Sequence, residues 1–254
     1  AAYAVVYLIG GVLLASARLL GAAGPFGMAA VAASGAGLNG VAALIGAAIG
    51  YIISCGLAGS IRYLAAIVLV YTICFAFQDT KLASKSVFAP ATAAVSALST
   101  GILSSFTSVF TQAPAAAVVL IETVFSFGGC WFFREAMSGR ERTTESEELR
   151  YAGSVLITAA VLLMAVSQIE IFGAISLGRL VAVLIVMTCT LRCGIMTGCT
   201  IGTAFGIAMD LTAGGMPFYT MAYAFAGLLS GMFNRHGRLL FLLSFIIANA
   251  AAVA

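Results

Sequence analysis

Residues 134–150 read REAMSGRERTTESEELR. The 254-residue chain carries only twelve Lys/Arg and nine Asp/Glu, and nine of those charges crowd into this run. On either side of it the sequence turns apolar for long stretches. Charged residues are 8% of the chain and hydrophobic residues 62%, against roughly 25% charged in an average soluble domain. Too few polar residues remain to cover a soluble fold of this size. The surface that such a composition suits is one wetted by lipid tails.

A bilayer core demands about 20 apolar residues per helix, and several windows of this chain meet that length without an acid or a base. Lipid forbids unpaired backbone groups, which leaves helices or a closed barrel. Barrel strands alternate apolar and polar residues; these runs do not. The fold class is therefore all-α, a polytopic transmembrane bundle of about ten to eleven apolar segments in one membrane domain, 1–254. The segments are 3–20, 22–37, 41–59, 61–77, 87–110, 113–133, 151–169, 173–191, 193–213 and 216–233, with an eleventh beginning at Leu239. Segment 22–37 is short, rich in Gly and Ala, and holds Pro25, so it either spans thinly or re-enters. The chain reads as a piece of a longer protein.

The bases orient the bundle. Lys81 and Lys85 follow four crossings, Arg134, Arg140, Arg142 and Arg150 follow six, and Arg235 and Arg238 follow ten. These loops share a side with Arg192, and the positive-inside rule makes that side cytoplasmic. Arg62 reads as the base of an opposite loop. Thr144 to Glu147 has capping-box spacing, so the helix after the charged run is expected to start near Thr144. Pro114 and Pro217 stand near helix starts, where a missing N–H is harmless; Pro90 is placed to kink the fifth segment.

Two patterns could carry function. Gly194, Gly198, Gly202 and Gly206 recur every four residues and Asp210 continues the stripe. Such a ridge lets another backbone approach closely, and Gly46 with Gly50 and Gly227 with Gly231 repeat the motif. Helix packing or an oligomer contact is the expected role. Ionisable groups in a membrane are costly and mark functional candidates: Arg18, Glu122, Glu170, Arg179 and Asp210. Glu122 is the deepest, and burial favours its protonated form. Asp210 is expected to pair with Arg179 or Arg18. Soluble catalysis finds no support. His236 is the lone histidine, no His/Cys/Asp cluster has ligand spacing, and no phosphate loop or dinucleotide fingerprint is present. The six cysteines lie in apolar stretches and read as small hydrophobes. The net charge of +3 is spread over loops, which excludes a nucleic-acid patch.

Some residues resemble a known family. Gly198-Cys199-Thr200-Ile201-Gly202, then Ala226-Gly227-Leu228-Leu229-Ser230-Gly231-Met232-Phe233 and a basic turn, form one part of the likeness. Ala17-Arg18 with Gly24-Pro25-Phe26-Gly27 form another, and Glu122 in Val119-Leu120-Ile121-Glu122 a third. Together they resemble the N-terminal membrane region of the stage II sporulation protein E family of endospore-forming Firmicutes. The resemblance implies a non-catalytic anchor and localisation module, with a cytoplasmic Ser/Thr phosphatase expected downstream that needs Mn or Mg. It implies the asymmetric septum of the plasma membrane as location, and as partners the cell-division tubulin homologue and an anti-anti-sigma factor, reached through parts outside this chain. A homo-oligomer is also expected. The alternatives are a small-solute transporter or channel using Glu122, and a sensor gating an attached domain.

Overall fold

Unbroken runs of Ala, Leu, Ile, Val and Gly offer no polar alternation, and helix is the conformation that satisfies every backbone group within a segment. The computed structural model describes residues 2–106, 116–139, 143–171, 175–213, 217–234 and 237–253. Among them are α1 (Ala2–Ser16), α2 (Phe26–Ser34), α3 (Leu38–Phe77), α4 (Phe88–Phe106), α5 (Ala116–Ala136) and α6 (Glu145–Val166). A two-residue ladder follows, in which β1 (Glu170–Ile171) pairs antiparallel with β2 (Ile175–Ser176). The chain continues with α7 (Leu177–Cys193), α8 (Ile195–Ala213), α9 (Phe218–Phe233) and α10 (Arg238–Val253). By length and composition α3, α5, α6 and α8 can each cross a membrane, and α1, α9 and α10 contain shorter apolar helices. Pro114, Arg140, Arg142, Arg235 and His236 lie outside the described residues. The chain clusters into two units, the first of residues 1–18 and 22–158, the second of 19–21 and 159–254.

In the first unit, glycines decide how α1 meets α3. A Cβ on Gly46 would lie 2.1 Å from the Leu8 carbonyl oxygen, and one on Gly50 would lie 2.4 Å from that of Val12. Residue numbers rise together along both helices, so α1 and the first half of α3 run in the same direction. The segment between them must therefore carry the chain back. It does so with non-helical residues after Ser16 and the nine-residue α2, about 14 Å long, too short to span about 30 Å of hydrocarbon alone. Residues Phe26 through Ala32 are all buried, so protein and not lipid surrounds this broken return.

A straight forty-residue α3 would reach about 60 Å, but it is not straight. Gly56 has φ 68° and ψ 172°, a conformation open essentially to glycine alone. The rings of Tyr51 and Tyr63 stack with centroids 4.6 Å apart, although twelve residues of continuous helix would separate them by about 18 Å. The chain bends sharply at Gly56. The division expected at Ser60 thus falls four residues earlier, and Arg62 belongs to a helix, not to a loop. At the other end of the unit, Arg134 Nη1 donates to the Ser86 carbonyl at 3.0 Å, which places the start of the charged run beside the Lys81–Lys85 loop. Arg150 binds Glu135 at 3.1 Å across the run. Glu147 reaches back to accept from the Thr143 N–H at 3.1 Å, a local cap for α6. Pro90 stands in the first turn of α4, where it has no helical N–H to lose.

In the second unit, α8 and α9 form an antiparallel hairpin. A Cβ on Gly206 would meet Thr220 at 2.4 Å, one on Gly202 the Tyr223 oxygen at 2.4 Å, and one on Gly227 the Gly198 oxygen at 2.6 Å. Gly198 also faces the Thr190 side chain of α7, and Gly231 faces Ile195. Asn234 Nδ2 donates to the Leu191 carbonyl at 3.1 Å, closing the end that carries Arg192.

Because Gly202 leaves no room for a methyl group, Gly202→Ala is expected to lower stability in detergent by about 1–3 kcal/mol through overpacking. Gly153, whose Cβ would meet nothing within 4 Å, is the control: Gly153→Ala should be neutral or stabilising. Thermal unfolding of both variants checks this.

Candidate functional site

One acid organises the first unit. Glu122, in the second turn of α5, is 0% exposed, and its hydrogen-bond partners among the described residues all donate to it. Arg62 Nη1 and Nη2 bond its two oxygens at 2.7 Å each. The Tyr63 hydroxyl donates to Oε1 at 2.6 Å and the Gly24 N–H at 3.2 Å. Two parallel bonds from one guanidinium are the geometry an ionised carboxylate accepts. Glu122, expected as a lone deep acid, is thus one half of a buried ion pair with Arg62.

Around this pair the bend of α3 is stitched to the broken return. The Tyr51 hydroxyl donates to the Gly24 carbonyl at 2.5 Å and accepts from the Met28 N–H at 3.2 Å. Gly27 leaves no room for a side chain, because a Cβ there would lie 2.6 Å from the Tyr51 ring, and at Gly24 the fit is tight, with a Cβ 3.1 Å from that ring. Ser126, one turn beyond Glu122, donates to the Pro25 carbonyl at 3.2 Å. The Arg62 guanidinium lies 4.4 Å from the Tyr63 ring centroid, so cation, Tyr63 and Tyr51 contact one another in series. The Arg18 guanidinium bonds the Ala22 carbonyl at 3.3 Å, donates from Nη2 to Cys55 Sγ, and sits 6.0 Å from the Tyr63 centroid.

The other charges behave differently. Asp210 does not pair with an arginine among the described residues. Its oxygens accept from the Tyr219 and Thr220 N–H groups at 2.8 Å each, and from the Thr220 hydroxyl. It serves as a cap from α8 to the free N–H groups of α9. Arg179 lies 4.7 Å from the Tyr219 ring centroid, held by the aromatic face where an acid was expected. Arg18 makes its bonds within the first unit. Glu170 pairs with Ser176 through the backbone, and its side chain lies outside the described residues. Gly194 leaves the glycine stripe: it is the break between α7 and α8, with φ 89° and nothing within 4 Å of a Cβ. Its N–H bonds the Thr190 carbonyl at 3.1 Å. The rest of the stripe is spent inside the chain, on α7 and α9, which leaves those glycines covered.

Arg62, Tyr51, Tyr63 and Cys55 are not among the residues that the sequence marks as functional candidates. Their one available signal was the exception to the charge pattern, Arg62 standing alone between two apolar runs. Among the described residues no group of three His, Cys, Asp or Glu gathers for a metal. No family model, curated protein or solved structure matches the chain.

Removing one partner of a buried ion pair strands the other. Glu122→Gln should lower stability by about 3–5 kcal/mol. The apolar double variant Arg62→Met, Glu122→Leu should recover much of that loss. Denaturant unfolding in detergent of the single and double variants measures both.

Proposed function

We propose that this chain is the non-catalytic membrane anchor and localisation domain of a sporulation Ser/Thr phosphatase, crossing the plasma membrane about ten times. The observation that carries the reading is the closed state of Glu122. Its carboxylate is 0% exposed and met entirely by protein donors, which is how a structural tie is built. A transport path through this residue needs an opening to each side in turn, and the knot offers the acid no water.

Supporting it further, the residues that carry the family resemblance come together in pairs. Gly24 bonds Glu122 directly, in the first unit. Gly198 and Gly202 of α8 lie against Gly227 and Tyr223 of α9, in the second. Motif stretches distant in sequence thus form two tight contacts, as expected of residues kept for packing. The topology accords with an anchor of this class. On this reading α1, the return through α2 and the two halves of α3 about the bend at Gly56 would be four crossings before Lys81. The loops 78–87 and 134–150 then share one side, cytoplasmic by the charge rule, and would face the phosphatase and its anti-anti-sigma substrate. The phosphatase would bring its own Mn or Mg; the septal partner, the tubulin homologue, would be met by parts outside this chain.

A fluorescent fusion of residues 1–254 is the test. It should resist carbonate extraction and concentrate at the asymmetric septum of sporulating cells lacking the full-length protein. Uniform membrane fluorescence with intact carbonate resistance would reject localisation while leaving the anchor.

A further inference from the structure

We propose that Arg18 forms a phosphate-binding subsite on the outer edge of the Glu122 knot, and that a phospholipid headgroup or free phosphate completes its charge; this rests on the membrane reading above. The knot contains two guanidinium groups, Arg18 and Arg62, and one carboxylate. Glu122 gives both oxygens to Arg62, and among the described residues no acid pairs with Arg18. The local charge is one positive unit in excess. In a low-dielectric surround that excess is costly unless an anion answers it.

The donor inventory agrees. Arg18 has five N–H groups. One meets the Ala22 carbonyl at a long 3.3 Å and one meets a thiol sulfur, a weak acceptor. Nε is buried with no partner. The residue as a whole is only partly buried, and its Nη1 bond to the Ala22 carbonyl lies at an exposed position. The fork is already held in place by Cys55, Ala22 and the Tyr63 ring. A pre-positioned planar fork matches the oxygens of a phosphate.

Its level in the unit fits a headgroup. Arg18 follows the end of α1 at Ser16. The knot it edges lies at Glu122, about 18 Å along α5 from Arg134, and Arg134 is bonded to the charged-loop end. Arg18 therefore stands toward the opposite membrane face, where a long basic side chain at a helix end reaches for the phosphate layer.

The experiment uses the purified 254-residue chain in a phosphate-free nonionic detergent. Short-chain phosphatidylglycerol and inorganic phosphate are titrated separately. Native mass spectrometry counts bound lipid, and peptide mapping after phenylglyoxal treatment reports which arginines are shielded. The expected result is one tightly held phosphatidylglycerol per chain, shielding of Arg18 by ligand, and Arg62 unreactive throughout because Glu122 holds it. Arg18→Gln should weaken the lipid roughly ten- to hundredfold, the loss of a charge-assisted fork, and Arg18→Lys less. Equal shielding by inorganic phosphate assigns the site to free phosphate; shielding by the lipid alone assigns it to the headgroup. Lipid binding to Arg18→Gln as strong as to wild type, or no shielding of Arg18 by either ligand, overturns the proposal. Should Arg18→Gln not fold, the wild-type shielding decides. Failure of the membrane reading shows separately, as a chain that stays dispersed without detergent.

Discussion

The first unit depends on a single buried carboxylate. Glu122 is fixed by Arg62, Tyr63 and Gly24, which come from both the bend of α3 and the stretch leading into α2. Two structural liabilities meet there. A helix of nine residues cannot close a crossing, and a glycine in an otherwise forbidden conformation interrupts a helix of forty. Each leaves polar backbone without a regular partner, and in a membrane interior such groups are costly. The carboxylate and the Tyr51 hydroxyl answer that need by bonding Gly24 and Met28. Replacing a buried ion pair with apolar side chains is often neutral or stabilising, so net stability does not explain its presence. Register does: three donors from adjacent Arg62 and Tyr63 and one from Gly24 converge on one carboxylate.

The second unit reaches order by a different route. Its α8–α9 hairpin closes backbone on backbone, and the polar work is confined to the ends. Asp210 caps α9 and Asn234 meets the last carbonyls of α7. Packing energy there comes from close approach, the currency that remains when lipid is as apolar as leucine. The glycine ridge has consequences for assembly as well: residues already pressed against a neighbouring helix are not surface for a second copy.

Much of this was legible in the sequence because it is periodic or compositional. The apolar runs announce helices, and a glycine every fourth residue announces one close face, so Gly198, Gly202, Gly206, Gly227 and Gly231 could be read directly. The charged run at 134–150 stands out by composition, and the Arg134 at its start bonds the Ser86 carbonyl, next to Lys85. What escaped was non-periodic. Gly56 looks like any of the chain's 28 glycines, since backbone dihedrals leave no trace in residue identity. Gly194 fell on the stripe by spacing yet sits outside the helix. Arg62 and Glu122 are sixty residues apart, and only the bend brings them together. Asp210 was read as a charge seeking a charge, whereas two backbone N–H groups satisfy it more cheaply.

A module tied in this way is suited to holding a shape, which is what the anchor role proposed above would require. Whether Glu122 carries its charge is the point on which the account turns. Difference infrared spectroscopy between wild type and Glu122→Asp in bilayers at neutral pH reads it directly. The perturbed band is expected to be the antisymmetric stretch of a carboxylate. A perturbed carbonyl band from a protonated acid would contradict it, because a neutral Glu122 would leave the mostly buried Arg62 without its counter-charge.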